Sequence, residues 1–117
     1  MFDFEKLEVY QKAKTFNWEI TSMLKSIKCI DSVVRNQLRR ASLSIVLNIA
    51  EGTSRYSKAD KRNFYVISRG SAFECVAVLD VMKDETLLSE KEFQHFYQKA
   101  DELSRMLFAM IRNLSND

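Results

Sequence analysis

The sequence predicts an all-α fold, an up-down-up-down four-helix bundle in which residues 1–117 form one domain. Three observations point to it. Apolar residues recur at spacings of three and four in four successive stretches, which is the period of a helix with one buried face. The chain holds two glycines and no proline, so little in it breaks a helix. The segments between the stretches are short, and short connections make consecutive helices antiparallel neighbours. With 46% hydrophobic and 29% charged residues, the composition is that of a folded chain with a modest core. Helices are expected at roughly 4–28, 32–52, 58–85 and 90–114.

The first helix is expected to start near Asp3 as its cap, with Phe2 and Leu7 as a hydrophobic staple. Val9, Ala13, Phe16, Ile20, Leu24 and Ile27 give it one core stripe, and Trp18 lies off that stripe, either at a subunit contact or half-buried.

Asp31 or Ser32 caps the second helix, and Gly52 fits its end, where a left-handed residue suits glycine. Val34, Leu38, Ala41, Ile45, Ile49 and Gly52 fall on one side of this helix, with Leu43, Val46, Leu47 and Ala50 on the other. A helix apolar all round is covered all round, so the second side is expected to meet another subunit. The uncharged run Ala41–Ala50 is far short of the roughly 20 apolar residues that span a bilayer, and no membrane contact is expected. Asn48 and Glu51 are polar positions in this apolar setting. Asn48 is expected to bond a facing backbone or side chain, and Glu51 to pair with Arg55 or with an arginine of another helix.

Ser57 caps the third helix, with Asp60 in its first turn. Phe64, Ile67, Ser71, Cys75, Val78 and Met82 are its expected core stripe, and Gly70 with Ser71 is expected to let another helix approach closely. The fourth helix opens on a capping box, Ser89 to Glu92, with Leu88 and Phe93 in staple positions. Phe93, Phe96, Ala100, Leu103, Leu107, Met110 and Leu114 then repeat at the 3-4 spacing of a bundle seam. Ser115 to Asp117 are expected to fray.

The net charge of +2 hides an asymmetry. Residues 32–73 carry eight basic and two acidic side chains, while residues 74–117 carry nine acids and five bases. Either the middle of the chain faces something anionic, or it complements the acidic fourth helix of its own or a neighbouring subunit. Lys58, Lys61, Arg62, Tyr65 and Arg69 lie opposite the expected core stripe of the third helix, with Arg55 at the adjoining turn. Cations there neutralise phosphates, and Tyr65 is placed to stack on an unpaired base. Arg69 alternatively pairs with Glu51 or Glu74, and Arg35 and Arg39 extend the patch only if their helix shares its face.

Enzyme chemistry is not expected. His95 is the only histidine, and no glycine-rich phosphate loop is present. Glu92 with His95 matches half of a bundle di-iron motif, but the capping box accounts for Glu92, so no metal or cofactor is expected. Cys29 and Cys75 form no CxxC pattern and read as reduced, small apolar residues. Asp3 and Glu5 close behind Met1 do not read as an export signal, so a cytoplasmic location is expected.

The segment LRRASLSIVLNIAEG, followed by SRYSKADKRNFYVISRGSAFE, resembles the bacterial proteins encoded in intervening sequences of 23S ribosomal RNA genes. The resemblance runs from Leu7 to Leu114 and is specific at Asn48 to Gly52, Arg55, Ser57 and Arg69 to Ser71. Relatives usually carry a proline just before the Asn48 segment, where this chain has Val46 or Leu47, which implies a straighter helix. The resemblance implies a four-helix bundle assembled into a ring-like homo-oligomer, a pentamer in relatives. It also implies a similarity in architecture to the accessory protein of diversity-generating retroelements, which works beside a reverse transcriptase. The expected function is therefore a non-enzymatic oligomer presenting a basic surface to RNA or DNA, most of all structured RNA. The alternative is an interaction scaffold for a polymerase-like protein, with no nucleic-acid contact.

Overall fold

Three of the four helices begin at a side chain that caps them. In the computed structural model, which describes residues 1–115, the four are α1 (Glu8–Ser26), α2 (Ser32–Thr53), α3 (Lys58–Asp84) and α4 (Glu90–Ser115). No strand occurs among the described residues. Ser115 closes α4, and Asn116 and Asp117 of the expected frayed tail lie outside the described residues.

Three starts follow the local signals. The Asp31 carboxylate accepts from Val33 N–H at 2.8 Å, and Ser57 Oγ accepts from Asp60 N–H at 3.1 Å. The Ser89–Glu92 box closes in both directions at 3.0 Å, with Leu88 and Phe93 both buried beside it. The start of α1 differs from expectation. Asp3–Lys6 form a short 3-10 turn, Leu7 is extended, and α1 begins at Glu8. Asp3 makes no cap; Phe4 instead packs on Tyr10 with ring centroids 4.7 Å apart, and Phe2 stacks on Phe4 in the open rather than stapling Leu7.

Neighbours in sequence are neighbours in space, and α4 returns to α1, so the four helices enclose one core in a body 47 × 26 × 22 Å. The seams of α3 with α2 and α4 are broad, and that of α1 with α4 is narrow. Phe16, Ile20 and Leu24 of α1, Leu38, Ile45 and Ile49 of α2, Leu79 and Met82 of α3, and Leu103 and Leu107 of α4 fill the centre.

The buried stripe of α3 is rotated from the expected one. Tyr65, Ser68, Ser71, Ala72, Cys75, Leu79 and Met82 face inward, Phe64 and Val78 are half-buried, and Ile67 is exposed. Two serines sit in the core because their hydroxyls find partners: Ser68 donates to Ile45 O at 2.8 Å, and Ser42 of α2 bonds the Asn17 side chain. On α2, Val46 is buried within the chain, Ala50 is half-buried, and only Leu43 and Leu47 of the expected outer set stand exposed.

Gly52 does not take a left-handed conformation. It lies buried in the last turn of α2 beneath the Tyr65 ring, where an added Cβ would stand 2.6 Å from Cε1. Gly70 is the reverse: nothing lies within 4 Å of a Cβ built there, so no helix of the same chain uses the space. Cys75 is buried, and burial with Glu74 nearby pushes its thiol up to about 12, whereas Cys29 is exposed. Among the described residues no helix is long and apolar enough to cross a membrane.

Candidate nucleic-acid interface

The α2–α3 corner gathers four cations, each placed by a different local cause. Arg55, one residue past the C-cap Ser54 of α2, is held by Glu51 Oε1 at 2.9 Å and lies over the Phe64 ring at 4.6 Å. The expected Glu51–Arg55 pairing thus forms within one chain. Arg55 Nε is buried without a partner. Lys61 reaches back to donate to Thr53 O at 3.2 Å, capping a carbonyl that the end of α2 leaves unsatisfied. Lys58 opens α3 and is exposed, and Arg62 follows one turn later, half-buried. Tyr56, between Arg55 and Ser57, is fully exposed.

Tyr65 is not part of this surface. It is 5% exposed, and burial against Gly52 and the core raises the pKa of its hydroxyl, so its ring cannot meet a base. The exposed aromatic residue at this corner is Tyr56 instead. The signal was an aromatic residue in the Arg55–Lys58 turn, which the helical pattern of α3 overshadowed.

Arg69 is also engaged elsewhere. Its Nε donates to Ser104 O of α4 at 3.3 Å, and its guanidinium lies between the rings of Phe73 (4.8 Å) and Phe108 (5.3 Å). It pairs with neither Glu51 nor Glu74. Arg35 donates to Leu24 O near the opposite end of the bundle. Arg39 is exposed on α2, and the sixteen residues separating it from Arg55 correspond to about 24 Å of helix. Neither Arg35 nor Arg39 joins the corner.

Asn48 does not bond a facing helix either. It donates to Ser44 O and Ser44 Oγ of its own helix, both at 2.9 Å, and Ser71 Oγ of α3 donates to Ser44 Oγ at 2.8 Å. Inter-helix register at this edge therefore runs through Ser44 and Ser71. His95 Nε2 stands 3.3 Å from Glu19, and among the described residues no group of three or more His, Cys, Asp or Glu side chains converges as metal ligands would.

The outward face of α3 escaped the sequence reading. Val66, Gly70, Phe73, Ala77 and Val81, at helical spacing, are all exposed and uncharged, with Ile67 beside them. Lys61 reaches α2 and Arg69 reaches α4, so these two cations turn to the flanks of α3, away from its apolar outside. The spacing was legible in the letters; which of two apolar stripes faces inward was not.

Residues 5–109 match the model of the family described as 23S rRNA-intervening sequence protein. The fold is shared with a crystallised protein of unknown function from the S23 ribosomal protein family of Bacteroides thetaiotaomicron VPI-5482. That likeness has a TM-score of 0.84 at 23% identity and covers 88% of this chain and 97% of the other. No curated protein matches the sequence. The family match spans all four helices and the α2–α3 corner, and by it this chain belongs to the 23S rRNA-intervening sequence protein family.

Proposed function

We propose that the protein is a non-enzymatic, cytoplasmic, homo-oligomeric bundle that presents its α2–α3 corner to nucleic acid, above all to structured RNA. One observation carries this reading: a fully exposed aromatic ring, Tyr56, stands in the turn between Arg55 and Lys58, which Lys61 and Arg62 follow in the first turns of α3. Cations that displace counterions from phosphates supply affinity, and a ring beside them stacks on an unpaired base. The family's link to ribosomal RNA genes supports RNA over DNA as the ligand class. A ring of copies, pentameric as in relatives, would repeat the corner and add modest contacts through multivalency.

The test is binding of labelled single-stranded RNA, structured RNA and duplex DNA at low and physiological salt. The expected result is binding that weakens steeply with salt. Replacing Lys58, Lys61 and Arg62 together with glutamine should weaken it and lower the slope of log K against log salt by roughly 2. Tyr56→Ala should weaken single-stranded RNA binding about tenfold, the worth of one stacked base. Unchanged binding in both variants would remove the corner as the site.

A second reading, a scaffold for a polymerase-like protein, is favoured by the apolar outer face of α3, which no nucleic acid would need. Under it, RNA binding is absent at low salt and losses follow substitutions on that face.

A further inference from the structure

Trp18 is the chain's only tryptophan, and the structure leaves it 68% exposed rather than half-buried. It stands on the outward face of α1, away from the core stripe of Val9, Ala13, Phe16 and Ile20. Lys14, one turn before it, and Lys25, two turns after it, share that face and are exposed. Lys14 lies over the Tyr10 ring at 5.4 Å. Neither lysine forms an ion pair among the described residues.

The second helix adds a cation to the same side. Two bonds, Asn17 with Ser42 and Leu24 O with Arg35, fix the height of α1 against α2. On that register Arg39 stands level with position 20 of α1, about 3 Å from Trp18 along the axis. Arg39 is turned from the α1–α2 seam toward solvent and is exposed. The carboxylates of these helices lie elsewhere. Glu8 pairs with Lys12 at 3.7 Å, Lys12 also reaches Glu102 of α4 at 3.3 Å, and Glu19 meets His95 of α4 at 3.3 Å. Before Glu51, α2 carries no acidic residue. Trp18 thus stands with three cations and no carboxylate among them.

Charge and ring together choose the occupant. Lysine is depleted in protein–protein interfaces, whereas nucleic-acid interfaces are rich in positive charge. An open indole face stacks on any base, and lysines about 6 and 10 Å along the axis on either side meet the flanking phosphates. Bases of a duplex are already stacked on one another, so the ring selects unpaired ones. Trp18 is level with position 41 of α2, about 18 Å along the axis from Thr53 at the end of that helix, so this surface is separate from the corner around Tyr56.

We infer that the α1–α2 side is a second contact surface for single-stranded RNA, with a base stacked on Trp18 and phosphates held by Lys14, Lys25 and Arg39. This rests on the reading that the protein binds nucleic acid, and adds a site that the corner does not supply.

Because Trp18 is the only tryptophan, its fluorescence reports the contact directly. The full chain is titrated with oligouridine RNA at low and at physiological salt. The free protein should emit as an indole in water, and the RNA should quench that emission, less so at the higher salt. Quenching should persist in the Lys58→Gln/Lys61→Gln/Arg62→Gln variant. Trp18→Ala, read by the anisotropy of labelled RNA, should weaken binding about tenfold. Lys14→Gln/Lys25→Gln/Arg39→Gln should lower the slope of log K against log salt by roughly 2. These positions are exposed, and circular dichroism checks that each variant folds. RNA binding that leaves the emission unchanged, with Trp18→Ala binding as tightly as wild type, would keep the nucleic-acid reading and overturn this surface. No RNA binding at low salt would overturn both. Quenching by polyglutamate and not by RNA would overturn the RNA assignment and give the surface to an acidic protein.

Discussion

A methyl group on Gly52 would press into the Tyr65 ring, which is itself buried and has no room to retreat. Gly52→Ala gains about 1 kcal/mol of helix propensity but loses about 1–3 kcal/mol to overpacking. The expected net is lower stability by urea unfolding, recovered when Tyr65 is also replaced by leucine. Cys75 makes a second prediction at this scale. Its thiol is raised from an ordinary 9.0 to about 12, so above pH 9 the unfolded chain releases a proton that the folded chain keeps. Stability is then unaffected below pH 9 and falls by up to about 1.4 kcal/mol per pH unit between 9 and 12. Cys75→Ala should remove the part of that alkaline loss due to the thiol, leaving the part due to Tyr65, whose hydroxyl pKa burial also raises. Neither effect was legible in the sequence. Gly52 at the end of an apolar run reads as an ordinary helix terminator, and only the packing of α3 on α2 shows that lack of space, not backbone freedom, selects it.

The elements divide by how local their causes are. The caps of α2, α3 and α4 are contained in a few consecutive residues, and all three were readable as such. Ser89→Ala should cost about 1 kcal/mol, seen as a lower thermal midpoint with unchanged helix content at low temperature. The start of α1 depends on Phe4 meeting Tyr10 and on Leu7 turning inward, contacts that compete with the cap signal at Asp3. The rotation of α3 has a similar origin. Ser68 and Tyr65 look polar in a list of letters, yet Ile45 O and Gly52 make them better core residues than Ile67. Gly70→Ala tests the outward side of α3. It should stabilise the helix by about 1 kcal/mol, because its surroundings within the chain are open, and raise the thermal midpoint accordingly.

At the scale of the whole molecule, the bundle and its order of helices followed from periodicity and short connections, and the family match agrees with them. The site was half legible. Arg55, Lys58, Lys61 and Arg62 do meet at one corner, because a turn and the first helical turn after it are close in any fold. Arg35, Arg39 and Arg69 do not join them: one is tied to α1, one lies far along α2 and one is clamped to α4. Sequence proximity of charges is a good guide to a surface only across a single turn.

The corner has a further consequence. Lys58, Lys61 and Arg62 crowd the start of α3, where the unpaired N–H groups already carry partial positive charge and acidic side chains are favoured. Only Asp60 offsets them within that first turn. The corner therefore gathers like charges where a helix start favours acidic ones. Filling it with a multivalent anion should relieve the conflict and tighten the protein. A few millimolar sulfate or pyrophosphate should raise the thermal midpoint more than chloride at equal ionic strength. The glutamine triple variant should start from a higher midpoint and gain little from any of them.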